Sequence, residues 1–262
     1  MAWLDFIGGE IKARPSPVES DALGVSTGRV DVPLDYAGDE VPILDAIAQL
    51  DVDLVILRLP ANQSQLSSVV ALTLRDSTML HTDTLVYWET QVDPIRATPH
   101  IGGNVPRPPR EVRIAVEEIF AGYRNHYSSN PLLSATSAAS AYGDWGARHV
   151  LNEQPHRSIL IDGELAGLAT YSVASDHVEV LLAGIRPKFR RQGHYGTLLR
   201  AVEAHAVELG IDRLLISTQI HNYAVQRAWA RYGMQPVAAI QTFHVVSDRA
   251  VRQSWVESSP TR

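Results

Sequence analysis

The chain has no cysteine among its 262 residues. Disulfides, thiolate zinc sites and a cysteine nucleophile are therefore excluded. It holds only two lysines, Lys12 and Lys188, so nearly all its positive charge is arginine. A basic surplus is missing as well: with a formal net charge of −6 the chain has nothing to displace counterions from nucleic acid in general. No run approaches the roughly 18 apolar residues of a membrane span. The first residues carry Asp5 and Glu10 in place of the apolar core of a secretory leader. The chain is expected to be cytoplasmic, and the Asn62-Gln63-Ser64 sequon to be idle. No histidine pair has metal-ligand spacing and no Gly-x-Ser-x-Gly occurs, so neither a metal nor a hydrolase triad is expected. The composition that remains, 45% hydrophobic and 20% charged, is that of a globular protein.

Five of the fifteen prolines, with Gly102-Gly103, crowd into Val92 to Arg110, which reads as a linker. Before it, Leu54 to Leu59 is a buried-type strand, Gln63 to Arg75 a helix and Leu80 to Glu89 a second strand. Residues 1–50 show no regular pattern. After it, apolar spacing at Val112, Ala115, Val116, Ile119 and Phe120 predicts a helix over Glu111 to Tyr127, and a second helix covers Ser137 to Leu151. Asp162-Gly163 is a hairpin turn between Ser158–Ile161 and Leu165–Ser172. The expected domains are residues 1–92, a linker at 93–110, and 111–262.

The most telling stretch runs from Val178 to Leu209. An apolar strand, Val178 to Ile185, leads into Arg186-Pro187-Lys188-Phe189-Arg190-Arg191-Gln192-Gly193-His194-Tyr195-Gly196, and an amphipathic helix follows from Thr197 to Leu209. Free amides at a helix start, the helix dipole and glycines that admit a ligand to the backbone together make an anion site. The Gly-Lys-Ser/Thr ending of a nucleotide loop is absent, and so is the Gly-x-Gly-x-x-Gly of a dinucleotide fold. An ordinary basic turn is the plain alternative. Downstream, Asp212 to Gln219 reads as a strand, Ala224 to Tyr232 as a helix stopped by Gly233-Met234, and Val237 to Val246 as a last strand.

Arg190, Arg191, Gln192 and Gly193 resemble the acetyl-CoA loop Arg/Gln-x-x-Gly-x-Gly/Ala of the GNAT acyltransferase superfamily, with Tyr195 where a second Gly or Ala is usual and Gly196 one residue later. The order strand, Asn222, helix, Gly-apolar, strand also resembles the end of a GNAT domain. Further segments resemble the dTDP-fucosamine acetyltransferase branch over roughly residues 50–90 and 112–246: Phe120-Ala121-Gly122-Tyr123, His126-Tyr127, Tyr142 with Trp145, Thr218-Gln219, Thr242-Phe243-His244, and Asp83 to Glu89. The resemblance implies an α/β GNAT fold, a mixed central sheet flanked by helices, joined to a smaller truncated GNAT-like N-terminal domain. It implies acetyl-CoA as co-substrate, a dTDP-linked 4-amino-4,6-dideoxy sugar as acceptor, and a homodimer. Another small-molecule amine or a protein N-terminus as acceptor, and a non-catalytic acyl-CoA-binding protein, are the competing readings.

Attack of a neutral amine on a thioester needs a held CoA, an oxyanion donor, a base and a proton for the thiolate. By the resemblance, the amides of Arg191, Gln192, Gly193, His194, Tyr195, Gly196 and Thr197 hold the diphosphate, with charge from Arg190 and Arg191. Ala183, Gly184 and Ile185 meet the pantetheine arm and thioester oxygen, and Asn222 meets the CoA arm or caps the next helix. Four residues before the Gly-apolar stop, where the family keeps its acid tyrosine, stands Trp229, which lines the CoA site but cannot deliver a proton. Tyr232 is the expected substitute, ahead of Tyr195 and Tyr223. Glu179 is the base candidate, or else an outward-facing strand carboxylate.

Overall fold

The computed structural model describes residues 3–97, 107–133 and 138–251. Its elements, in chain order, are β1 (Lys12–Pro15), α1 (Pro17–Leu23), β2 (Thr27–Asp31), α2 (Val41–Ala48), β3 (Leu54–Pro60), α3 (Ser64–Thr73) and β4 (Ser77–Gln91). They continue with α4 (Pro109–Ile119), α5 (Ala138–Leu151), β5 (His156–Ile161), β6 (Glu164–Val173), β7 (Val178–Ile185), α6 (His194–Leu209), β8 (Arg213–Gln219), α7 (Tyr223–Tyr232) and β9 (Gln235–Ser247). The first fifty residues, patternless in sequence, thus hold two short strands and two short helices. Nothing among the described residues is a helix long and apolar enough to cross a membrane.

Two compact units are formed. One comprises Met1–Val86, Arg124–Thr136 and Ala238–Arg262, and the other Tyr87–Tyr123 and Ser137–Val237. Residues 124–136 and the last strand, which the sequence reading places in the C-terminal domain, therefore belong with the N-terminal residues. The expected linker is partly built into the second unit. Val92 donates to the Asp212 carbonyl, and Arg96 Nε donates to Glu203 at 2.9 Å. Gly102-Gly103 lie outside the described residues.

In the first unit the strands run β1-β2-β3-β9-β4, with β2 parallel to β3 and β9 antiparallel to it. Val55, Leu57 and Leu59 of β3 share one face with Val30, Phe243 and Val245 and pack on Ile43 and Ile47 of α2 and Leu66 and Val70 of α3. This alternation is the period of two that strand geometry imposes.

In the second unit the order is β4-β8-β7-β6-β5, with β7 antiparallel to β6 and parallel to β8. The hairpin β5–β6 turns at Asp162 and Gly163, at φ of 51° and 80°. Helix α4 lays Val112, Ala115 and Val116 on Leu165, Leu168 and Leu182. Helix α6 brings Leu198, Leu199, Val202 and Ala206 to Ala166, Ala169, Val178 and Val180. Helices on both faces of a mixed sheet are the GNAT architecture the sequence implies. Helix α4 stops at Ile119, short of the expected Tyr127, because Gly122 turns the chain at φ 72°.

Candidate active site

Strands β7 and β8 pair over only three residues, Val178 to Val180 against Leu214 to Ile216. Beyond that point no pairing between them is found among the described residues, and β7 continues to Ile185 beside β6. The ladder to β6 shifts register between Thr170 and Tyr171, where Leu181 is the extra residue. Ala183, Gly184 and Ile185 therefore lie on the stretch of β7 that has parted from β8. Gly184 is small for a second reason: a Cβ there would overlap Ile119 of α4.

Past β7 the chain makes a single 3₁₀ turn at Pro187–Phe189 and enters α6 at His194, three residues before the expected start. Arg191 and Gly193 both take left-handed backbone, at φ of 65° and 82°. For a non-glycine residue this costs about 1 kcal/mol, and it curls successive amides toward one side. Gly193 is the N-cap, and the first intrahelical bond runs from the Thr197 amide to its carbonyl. The amides of His194, Tyr195 and Gly196 are thus the orphan donors of a 16-residue helix. A Cβ at Gly193 would meet nothing within 4 Å, so the turn faces open space.

The side chains of the loop have separate duties. Arg190 is spent on backbone, donating to the Ile185 carbonyl and to the Ile119 carbonyl, each at 2.9 Å. It staples the turn to β7 and α4, whereas the sequence reading gave it to the diphosphate. Arg191 and Gln192 are exposed, and the His194 ring lies 3.3 Å from Gln192 Oε1. Thr197 Oγ1 accepts from Arg200 at 3.1 Å. Asn222 stands at the N-cap of α7 but does not cap it; its Nδ2 donates to Thr218 Oγ1 at 2.9 Å.

The same Thr218 lies 3.2 Å from the Tyr123 hydroxyl, which also donates to Gln219. Tyr123 meets Phe120 and Tyr142 edge to face, ring centroids 5.3 and 6.0 Å away. Three segments far apart in sequence thus meet at the end of β8.

Tyr232, expected as the acid, donates its hydroxyl to Glu203 at 2.6 Å and lies under the Arg96 guanidinium, 4.6 Å from the ring centre. Glu203 is wholly buried and paired with Arg96. Desolvation, then the bond to Glu203, push the Tyr232 pKa upward. This hydroxyl belongs to a structural ion-pair network. Trp229 is 1% exposed, and its indole Nε1 donates to the Tyr195 hydroxyl at 3.0 Å. No acceptor for the Tyr195 proton is found among the described residues. Desolvation raises its pKa, so the phenol stays protonated at neutral pH. Glu179 is 2% exposed between Ser172 of β6 and Leu215 of β8, which excludes the outward-facing alternative. No group of three His, Asp or Glu fit to hold a metal occurs among the described residues.

A strand pair that parts beside an amide-lined helix start is the arrangement of a CoA-dependent acyltransferase. Residues 120–234 match the profile of the Acetyltransferase (GNAT) family. Over 127 residues the chain is 25% identical to a putative [ribosomal protein bS18]-alanine N-acetyltransferase of Bacillus subtilis, covering 47% of this chain and 84% of that protein. Over 90 residues it is 30% identical to a mycothiol acetyltransferase of Corynebacterium kroppenstedtii, covering 34% of this chain and 23% of that protein. The tandem GNAT protein from the clavulanic acid biosynthesis pathway has a similar fold, with a TM-score of 0.55 at 13% identity over 85% of this chain and 75% of that one. The chain thus has a GNAT fold, and its residues 120–234 are similar to acetyltransferases of that family.

Proposed function

We propose that the protein acetylates the amine of a dTDP-linked 4-amino-4,6-dideoxy sugar, with Tyr195 as the proton donor to the leaving thiolate. The acyl transfer rests on the orphan amides of α6 beside the parted β7. There the amides of Arg191 to Gly196 take the diphosphate, the expected Thr197 amide being bonded to the Gly193 carbonyl, and Ala183 to Ile185 take the pantetheine arm and the thioester oxygen. The acceptor rests on the aromatic signature. Phe120, Tyr123 and Tyr142, in the segments that resemble the sugar branch, form one ring cluster, and the Tyr123 hydroxyl bonds to Thr218 and Gln219, beside Asn222.

In this reading the amine nitrogen bonds to the carbonyl carbon, the carbon–sulfur bond breaks, and the thiolate takes the Tyr195 proton. The indole of Trp229 fills one lone pair of the Tyr195 oxygen and so aims the O–H elsewhere. That hydrogen bond also favours the phenolate left after donation. The tyrosine has in effect moved from α7 to α6. Glu179, buried on β7, accepts the proton lost by the amine.

The test is kinetic. Tyr195→Phe is expected to lower kcat on the order of 10²-fold, the lower end of general acid assistance, with KM for acetyl-CoA unchanged. Tyr232→Phe is expected to keep kcat and to lose about 1 kcal/mol of stability with its hydrogen bond. The reverse pattern would return the acid role to Tyr232. Assayed side by side, a dTDP-4-amino sugar should release thiol faster than an alanine-led bS18 peptide. Faster release from the peptide would instead assign a protein N-terminus.

A further inference from the structure

The first unit carries a feature that acetyl transfer does not use. One face of its sheet is the apolar core against α2 and α3. The opposite face carries, beside the apolar Leu54, Ile56 and Val246, a set of charged and polar side chains: Arg29 and Asp31 on β2, Arg58 on β3, Thr242 and His244 on β9. Asp31, Arg58 and His244 are 0% exposed and Thr242 is 1% exposed. A sheet face of this kind is ordinarily apolar, because burying a charge without full pairing costs several kcal/mol.

The pairing on this face is incomplete at one place. Arg58 makes a single hydrogen bond, Nη1 to Asp31 at 3.3 Å, and Asp31 is shared with Arg14 at 2.9 Å. Among the described residues Arg58 Nε and Nη2 have no hydrogen-bond partner, and neither does Thr242 Oγ1, directly across the strand pair. Nε and Nη2 form the side edge of the guanidinium, the fork that accepts two oxygens of a carboxylate or phosphate. The remaining anion nearby is already engaged: Glu19 is held by Arg29 and by the Tyr127 hydroxyl at 2.6 Å. The neighbouring imidazoles are joined to each other, His126 Nδ1 to His244 Nε2 at 2.9 Å, and His244 Nδ1 accepts from Asn130 Nδ2 at 2.8 Å.

We propose that this set is a binding site for a small-molecule oxyanion, a carboxylate or a phosphate, gripped by the Arg58 fork and the Thr242 hydroxyl. Arg58 has no exposed surface, so the ligand enters by displacing the covering turns around His126, and association is expected to be slower than for an open pocket.

The experiment titrates the full-length protein, saturated with coenzyme A, with sodium phosphate and separately with sodium acetate. Ionic strength is held with chloride, and the readouts are the imidazole resonances of His126 and His244 and the unfolding midpoint. A saturable change with phosphate assigns a phosphate ligand, and one with acetate a carboxylate. Arg58→Lys, which keeps the charge and loses the fork, is expected to weaken binding by about tenfold or more. Thr242→Val, the milder change, is expected to weaken it several-fold. Should neither anion shift the resonances beyond chloride, or should both variants bind like the parent, the proposal fails. The readouts do not involve acetyl transfer, and phosphate held by the α6 amides would persist in Arg58→Lys. Failure here is therefore distinct from failure of the acetyl-CoA assignment.

Discussion

Gly196 separates ligand effects from scaffold effects. It sits in the first turn of α6, and an added Cβ would lie 3.6 Å from Arg200 Nη1, an ordinary contact. Gly196→Ala should therefore keep or raise stability, by up to about 1 kcal/mol. If the diphosphate rests on that amide, the same change should weaken acetyl-CoA binding in a calorimetric titration. Unchanged affinity would remove this residue from the contact set. Residue roles were the least legible level of the sequence. The glycines and the orphan amides were readable from the loop, because backbone conformation is written locally. The destinations of long side chains were not. Arg190 turns back to two carbonyls, and Asn222 turns to Thr218. Tyr232 meets Glu203, 29 positions earlier. The Trp229–Tyr195 contact had a signal, since both residues depart from the family pattern; only the fold shows that the two departures touch.

Among the elements, α3, α5, the β5–β6 hairpin and β7 emerged near their expected bounds. Boundaries moved where a glycine intervened. Helix α6 begins right after Gly193 and α4 ends before Gly122, both at positive φ. The short pieces β1, α1 and β2 escaped because elements of four to seven residues carry too few positions to show a period. Arg58 was in plain view inside the run Leu54 to Leu59, and its meaning depended on which strands flank β3. The packing of β7 on α4 gives a test at this scale. Gly184→Ala should cost about 1–3 kcal/mol by driving a methyl into Ile119, measured by urea unfolding. Ile119→Ala opens the space, so the double variant should lose less than the two single changes summed. Strict additivity would show that the two elements do not press on each other there.

For the molecule as a whole, the buried histidines set an acid limit. Burial first, then the Arg58 charge, lower the His244 pKa from 6.5 to about 4, and burial with His244 holds His126 well below its usual value. Both are neutral in the folded state at pH 7. Between pH 6.5 and 4 the unfolded chain binds more protons than the folded one, so stability is full above 6.5 and falls as pH drops through that window. His244 alone accounts for about 3 kcal/mol of the fall. Urea midpoints at pH 7.5, 6 and 5 should decline in that order, and His244→Gln should flatten the decline. A flat parent profile above pH 5 would place protons on these rings in the native state.

The ladder between β3 and β9 joins seven pairs, from Leu54 with Val246 to Pro60 with Ile240. A nascent chain has made β3 long before its antiparallel neighbour leaves the ribosome, and until then that edge stays open to stray strands. Completion of the N-terminal unit thus waits until β9 has been made, and severing the chain near residue 110 would leave β3 without that neighbour. Late closure over such a long sequence separation should make this a slow folder that benefits from chaperones.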